Sequence, residues 1–494
     1  MKKEVELLVA QAVKKLPDSL QTSTCEQVTA YLTKLDEQAI QYPDEKAFYE
    51  NLVHAFALSQ FLVVNADKYP QFLVHLYLSK RLFISATKVD YAADFRGALH
   101  PQDDEAIIMR KLRELRTKIF MRICMRDILG LADLQETVTD LSNFADVCID
   151  ATTQWLYQKL ADEYGYPTND RNLKQELLVI AVGKLGMSEL NFSSDVDLVF
   201  CYPSLGMTNG DNAISNERFF TLLVQRLVQV LSANTEYGFV FRVDLRLRPY
   251  GTQGTLVLTF DALQKYYRDA GRDWERFALA KARVISGEFR REDLLKIIYE
   301  FVYRPYLDFS VIEALANMQV MIHREIIAHN DDIKRGIGGI REIEFIVQVF
   351  QLIHGGKYAW LKDTSLLAML PKFSQYNLLT AKVVAYILKA YKFLRTIEHR
   401  LQQYRDQQTQ LLPKEEVDQT RLAFALNYSS YDDFLVELKT IRKKVHAHFD
   451  NVIMLPTKAP ETAIVTSDDS FIKAFLEKRD EQLAQDLLVS LGYQ

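Results

Sequence analysis

The first third of the chain repeats apolar residues at spacings of three and four, the period of helices with one buried face. EKAFYENLVHAFALSQFLVVNADKYPQFLVHLYLS (45–79) keeps this pattern up to Pro70, where a ring without an N–H ends one helix and can open the next. EAIIMRKLRELRTKIFMRICMRDILG (105–130) continues it and stops at Gly130, and a third long helix is predicted over about 135–164, ending near Gly165 and Pro167. The period then changes. Leu177–Val182 is a short unbroken apolar run, the mark of a buried strand, and Val196–Phe200 predicts a second. A helix over 215–233 puts Phe219, Phe220, Leu223, Leu227, Val230 and Leu231 on one side. FVFRVDLRL (239–247) alternates strictly and predicts a third strand, with Phe239, Phe241, Val243, Leu245 and Leu247 on one face and Arg242, Asp244 and Arg246 on the other.

From about 290 the helices return. Gly336-Ile-Gly-Gly339 precedes a helix, IREIEFIVQVFQLIH, that stops at Gly355-Gly356; others are predicted over about 379–406 and 431–455. PTKAPETAIVTSDD (456–469) reads as a linker and 470–490 as a last amphipathic helix. No internal repeat is visible at a period of 20 to 50 residues. The expected fold is mostly α with one α+β domain. Its divisions are an N-terminal helical region (1–135), an α+β domain (136–290), a C-terminal helical bundle (291–455), and the linker with its terminal helix (456–494).

Composition sharpens this picture. With 18 glycines and 12 prolines in 494 residues, punctuation runs at roughly half the ordinary usage of about 7% and 5%, which favours long helices. A length near three times the rough 150 residues of a domain allows a large core without disulfide or metal staples. The net charge of −5 gives no footprint for non-specific nucleic-acid binding. Cys25, Cys124, Cys148 and Cys201 are far apart and read as thiols in a reducing compartment. The N-terminus, MKKEVELLVAQAVKKL, lacks the unbroken apolar core of a signal peptide. No apolar run approaches the roughly 18 residues of a spanning helix, so the expected location is cytoplasmic, with no membrane partner.

The chemistry concentrates in GKLGMSELNFSSDVD (183–197). A strand feeds a loop with two glycines and two serines, and the loop feeds a strand whose Asp195 and Asp197 point to one face, about 7 Å apart by the strand rise. Two anionic groups so placed repel unless a cation lies between them, and Mg²⁺ binds through one or two carboxylates plus substrate phosphates. Asp244, in the middle of 239–247, supplies a third carboxylate. Together they can hold two Mg²⁺ ions, with Mn²⁺ an alternative, in the arrangement that clamps an in-line phosphoryl displacement. Gly183 and Gly186 let the backbone approach a phosphate. Ser193 and Ser194 offer hydroxyl donors, and Lys184, Arg246 and Arg248 are candidate cations. Taken singly, each feature also reads as a solvated turn or an exposed sheet face.

The conjunction resembles the nucleotidyltransferase superfamily that includes DNA polymerase β. GKLGMSELNFSSDVDLVF is similar to a block of the bifunctional glutamine synthetase adenylyltransferase/adenylyl-removing family. FRVDLRLRPYGTQGTLVLT, YYRDAGRDWERFALAKARVISG, GIGGIREIEFIVQVFQL and LRTIEHRLQQYRDQQTQLLP resemble further blocks of it in the same order. The likeness covers roughly 40–455. Full-length members carry two nucleotidyltransferase domains, each followed by a helical bundle, whereas one G-K-L-G…D-x-D occurs here. The E-L-N-F-S-S form and R-V-D before L-R-L-R-P look like the N-terminal, adenylyl-removing copy. Met187 departs from the family's usual Gly. The ending at Gln494, after a linker, suggests a split or truncated chain.

The resemblance implies metal-binding roles for Asp195, Asp197 and Asp244, and nucleotide-phosphate contacts for Gly183, Lys184, Ser194, Arg246 and Arg248. Glu275 and Arg276, in D-W-E-R, either reach the site or belong to a helix packed on the sheet through Trp274 and Phe277. Gly338 and Gly339 with Arg341, Glu342 and Glu344 read as a phosphate site at a helix start or as a tight turn into a bundle helix. His323, His329, His354 and His399 lack ligand spacing on one helix, and none is read as a metal ligand.

The implied reaction is phosphorolysis: inorganic phosphate and a glutamine synthetase bearing AMP on a tyrosine give ADP and the free tyrosine. The implied partners are adenylylated glutamine synthetase and the signalling protein PII, its uridylylated form activating. Three other readings stay open: adenylyl transfer from ATP to the same tyrosine, a nucleic-acid nucleotidyltransferase, and a non-catalytic regulatory copy. The acidic balance argues against the second, and the intact carboxylate set against the third.

Overall fold

The computed structural model describes residues 3–303, 315–323 and 331–452. The predicted linker and terminal helix (456–494) and His329 lie outside the described residues. The described chain is mostly helical with one small mixed sheet and a two-stranded ribbon.

Eight helices lead: α1 (Lys3–Val13), α2 (Asp18–Glu37), α3 (Lys46–Leu58), α4 (Gln60–Lys68), α5 (Pro70–Leu78), α6 (Lys88–Ala98), α7 (Glu105–Ile128) and α8 (Leu134–Tyr164). Pro70 opens α5 at its first turn, where the missing N–H costs nothing. A second break falls at Ser59, inside a run that the periodicity reads as continuous. Ser59 is extended, its Oγ accepts from the Leu62 N–H (3.2 Å) and donates to the Gln403 carbonyl (2.7 Å), and α3 and α4 diverge by 117°. No single described helix is long and apolar enough to cross a membrane.

The strands follow as β1 (Pro167–Thr168), β2 (Leu178–Val182), β3 (Asp195–Tyr202), β4 (Met207–Thr208), β5 (Arg242–Asp244), β6 (Val257–Thr259) and β7 (Arg283–Ser286). β1 and β4 form the ribbon. In the sheet, β2 runs antiparallel to both β3 and β7, while β5 and β6 lie parallel to the two ends of β3. Between strands lie α9 (Gly183–Gly186), α10 (Asn216–Ser232), α11 (Phe260–Asp269) and α12 (Asp273–Leu279). Beyond β7 come α13 (Arg291–Val302), α14 (Ile340–His354), α15 (Leu366–Gln375), α16 (Ala381–Arg405), α17 (Glu416–Ala425) and α18 (Tyr431–Asp450). The predicted strand 239–247 contracts to three residues. Asp244 Oδ1 accepts the Arg246 N–H at 2.8 Å, a turn that bends the chain out of the sheet.

Both sheet faces are covered, so β2 reads as an unbroken apolar run. Val179, Ala181, Val196, Leu198 and Phe200 pack with α10 and with Phe120 and Phe144 of α7 and α8. Leu178, Ile180, Val182, Val199 and Cys201 pack with α11 and the C-terminal helices through Leu263, Ile343 and Phe345. By the strand alternation, Asp195 and Asp197 share this second face. α16 adds a polar seam between these parts, with Arg395, Glu398, His399, Gln402 and Gln403 fully buried. Gln402 accepts the Ser193 N–H at 2.8 Å, and Gln403 and Arg400 hold Asp127 of α7 at 2.6 and 2.8 Å.

His354, at the end of α14, lies against Phe350 and Tyr358, and its buried Nε2 has no hydrogen-bond partner among the described residues. Burial, with Lys357 nearby, lowers its pKa to about 4. Protonation therefore favours the unfolded chain, where the ring titrates near 6.5. This contribution to stability is complete above about pH 6.5 and is lost as pH falls toward 4, amounting to about 3 kcal/mol. His354→Leu should flatten the fall in unfolding temperature between pH 7 and 5; an unchanged slope counts against the assignment.

Candidate active site

β2 hands the chain to the site at Val182, which faces Asp197 across the antiparallel pair. On the other side of β3, the parallel register sets Asp195 against Arg242, Val196 against Val243 and Asp197 against Asp244. Neighbouring strands lie about 4.8 Å apart, so the Asp197 and Asp244 side chains stand side by side, with Asp195 on the same face. The structure thus brings the three predicted carboxylates together.

Their charges are not equally compensated. The Arg242 Nε donates to Asp195 (2.9 Å) and its Nη2 to the Ser193 Oγ (3.1 Å). The Arg246 Nε donates to Asp244 (2.8 Å); these bonds outweigh burial and hold that carboxyl below its ordinary range. Asp197 has no ion pair among the described residues. Burial, then Asp244 and Asp195, push it up to about 6, against the pull of Lys334 and Lys281. Three clustered carboxylates with one charge uncompensated are a donor set that fits a hard divalent cation.

Gly183 is placed by the same geometry. Its φ is +58°, and a Cβ there would lie 2.2 Å from Asp197 Oδ2. The segment 183–186 forms one helical turn, with the Met187 N–H bonded to the Gly183 carbonyl (3.2 Å). Gly183→Ala should strain the left-handed turn and push the Asp197 carboxylate aside. A shift of about 1 Å in a reacting group costs on the order of 10²-fold. Turnover should fall that far with the circular dichroism spectrum unchanged; full turnover would show that Asp197 need not be held.

The other predicted residues divide. Ser194 adjoins the triad, half-buried. Arg246 is 76% exposed in its side chain and sits on Asp244. Lys184 is not brought to the triad: the turn directs it into the C-terminal helices, where it pairs with Glu344 and lies 3.5 Å from the Tyr391 hydroxyl. Burial, with Arg395 next, lowers it to about 8 despite Glu344. Arg248 closes the turn after β5, donating to the carbonyls of Leu245 (2.9 Å), Gly254 (3.2 Å) and Thr252 (3.2 Å). Glu275 accepts from the Tyr266 hydroxyl (2.7 Å) and the Arg272 N–H (2.8 Å), while Arg276 donates to the carbonyls of Phe301 and Val302. Both support packing, though Trp274 is 40% exposed rather than buried.

Three cations escaped the sequence reading as site residues. Arg242 stood on the polar face of 239–247 and was the one visible signal. Lys281 and Lys334 come from distant segments and act electrostatically on Asp197. Spacing along one helix does not reveal that His323 lies 3.2 Å from Asp450, with His446 of α18 beside it.

Residues 49–294 match the family model described as glutamate-ammonia ligase adenylyltransferase. Curated relatives agree over nearly the whole chain: "Bifunctional glutamine synthetase adenylyltransferase/adenylyl-removing enzyme" of Hahella chejuensis is 41% identical over 450 residues, covering 90% of this chain. Through residues 49–294 the chain belongs to the glutamate-ammonia ligase adenylyltransferase family. The identically named protein of Pseudomonas aeruginosa is 40% identical over 92% of the chain, and that of Psychromonas ingrahamii 41% over 81%. The chain spans about half the length of these relatives: 46%, 46% and 43%. Residues 312–453 match a second model, described as GlnD PII-uridylyltransferase. The carboxylate cluster lies inside the adenylyltransferase match, and α14 to α18 lie inside the second.

Proposed function

We propose that the chain is an adenylyl-removing nucleotidyltransferase, which frees a tyrosine of glutamine synthetase from AMP by phosphorolysis and so regulates nitrogen assimilation in the cytoplasm. The observation that carries this is the register of Asp197 with Asp244 beside Asp195 and the Gly183 turn, within a sequence whose relatives are named for both adenylyl transfer and adenylyl removal. Two carboxylates on one strand and a third on its parallel neighbour also support the DNA polymerase β-like reading of the sheet. The proposed boundary near 290 is supported by the two family matches, which end at 294 and begin at 312.

Asp195, Asp197 and Asp244 would hold Mg²⁺ or Mn²⁺, whose chemistry is to neutralise phosphoryl oxygens and stabilise the departing phenolate. A phosphate oxygen forms a bond to the AMP phosphorus as the bond to the tyrosine oxygen breaks. The products are ADP and tyrosine, which takes its proton from solvent. A phenol of pKa about 10 leaves without a dedicated acid. Gly183 lets the backbone approach the phosphates, and Ser194 offers a hydroxyl beside them. Lys334, without an ion pair among the described residues, is available to phosphate oxygens, as is the exposed Arg246. Lys184 and Arg248 act here by holding the turn and the loop after β5. The C-terminal helices and PII, in its uridylylated form, would govern access of the protein substrate.

The test incubates the protein with adenylylated glutamine synthetase, Mg²⁺ and phosphate, with and without uridylylated PII, and measures ADP. Phosphate-dependent ADP that disappears in Asp195→Asn/Asp197→Asn supports the reading. AMP transfer from ATP to unmodified glutamine synthetase, without ADP release, would assign the forward reaction instead.

A further inference from the structure

We propose that His323, His446 and Asp450 bind a divalent transition-metal ion of the zinc class within the C-terminal helices, apart from the carboxylate triad. His446 and Asp450 lie one helical turn apart on α18, where i and i+4 share a face. His323 reaches them from the helical segment 315–323. One ligand atom from each of the three lies within 4.8 Å of the others. The His323 Nε2 is 3.2 Å from Asp450 Oδ1, and the His446 Nε2 is 3.7 Å from Asp450 Oδ2. Ligands at about 2.0–2.2 Å around a tetrahedral ion stand roughly 3.3–3.5 Å apart, so the cluster is already close to metal size.

A buried carboxylate orients the ring. The His446 Nδ1 is 3.0 Å from Glu342 Oε1, and the Glu342 side chain is 1% exposed. The same oxygen accepts the Gly338 N–H at 3.0 Å. A carboxylate accepts, so Nδ1 donates to Glu342, and Nε2 is the ring nitrogen that faces Asp450. A histidine ligand held by a carboxylate on its other nitrogen is the usual device for fixing tautomer and ring angle at a metal. Gly338 makes this possible: its φ is +67°, and a Cβ would lie 2.0 Å from the Arg442 carbonyl. The glycine turn before α14 therefore serves Glu342 rather than a phosphate. Two imidazoles and one carboxylate select zinc-class ions over Mg²⁺, and exposed Asp450 leaves room for water as a fourth ligand. The bound ion would tie 315–323 to α18.

The test uses the full chain carrying Asp195→Asn/Asp197→Asn, so that the triad does not compete. Co²⁺ is added until visible d–d bands saturate, and Zn²⁺ is then used to displace it. One equivalent of tetrahedral Co²⁺ is expected, absent in His323→Ala and His446→Ala, retained in His354→Gln, and bound about 10–100-fold more weakly in Glu342→Gln. Circular dichroism checks the fold of each variant, and half-buried His323 decides if His446→Ala does not fold. Absence of a tetrahedral band, or a band unchanged in His323→Ala, would overturn the site.

Discussion

Asp197→Asn should cut ADP formation by roughly 10³-fold while making the metal-free protein harder to unfold. Asp197 lies between Val182 and Asp244 in the sheet, and Gly183 packs against its carboxylate. Arg242 and Arg246 already neutralise Asp195 and Asp244. The charge on Asp197 is the one the fold leaves uncompensated. Burial and the two neighbouring carboxylates push it to about 6 from an ordinary 3.8, which at neutral pH costs about 3 kcal/mol. Asparagine keeps the shape and removes the charge. In EDTA, the variant's unfolding temperature should therefore rise. Added Mg²⁺ or Mn²⁺ should stabilise the parent, because a ligand that binds only the folded state shifts the equilibrium toward it. It should do so far less in the variant. Loss of a metal ligand that stabilises transition-state charge by several kcal/mol should reduce turnover by roughly 10³-fold. A variant that loses turnover but is also less stable in EDTA would mean that Asp197 acts as a structural residue. One that keeps turnover would remove it from the chemistry.

The parts of the site that were legible are those written in a short window. The unbroken run at 177–182 and the D-x-D of the next strand specify β2 and β3 because strand alternation alone fixes their faces. Asp244 was readable because Arg242 and Asp244 alternate with Val243. The strand's end was not: apolar alternation continues through Leu247, while the side chains of Asp244 and Arg248 bond to nearby backbone and turn the chain. Local hydrogen bonds of this kind compete with a ladder and leave no mark in the hydrophobic period. Lys184 shows the other limit. As a lysine in a glycine turn it reads as a phosphate ligand, yet its partner, Glu344, is 160 residues away. The site at His323, His446 and Asp450 is similarly built across helices, and spacing along one helix cannot reveal it.

Arg395→Met should have the largest effect on stability, because this guanidinium joins the site loop to the C-terminal helices. Arg395 is fully buried, as are Glu189 and Glu398. Its Nη2 donates to the Glu189 carbonyl (2.7 Å), its Nη1 to the Tyr391 hydroxyl (2.6 Å), and its Nε lies 3.5 Å from Glu398. Glu189 accepts in turn from the Tyr391 hydroxyl (2.6 Å), Ser365 (2.9 Å) and the Leu367 N–H (2.9 Å). Methionine fills the space and leaves two buried carboxylates, Glu398 and Glu189, each 3.5 Å from the guanidinium, without their cation. Removing one partner of a buried ion pair costs about 3–5 kcal/mol, more than the pair itself contributes over an apolar replacement. The expected result is a marked fall in the urea midpoint. Because Glu189 closes the loop that runs from Gly183 to Ser194, turnover should fall at temperatures where the variant is still folded. Arg395→Met/Glu398→Gln removes one of the two stranded charges with the cation and should recover part of the stability but not the turnover, since Glu189 stays untied. Recovery of both would place the effect of Arg395 in charge balance alone. Recovery of neither would mean that the seam along α16 depends on more than this pair.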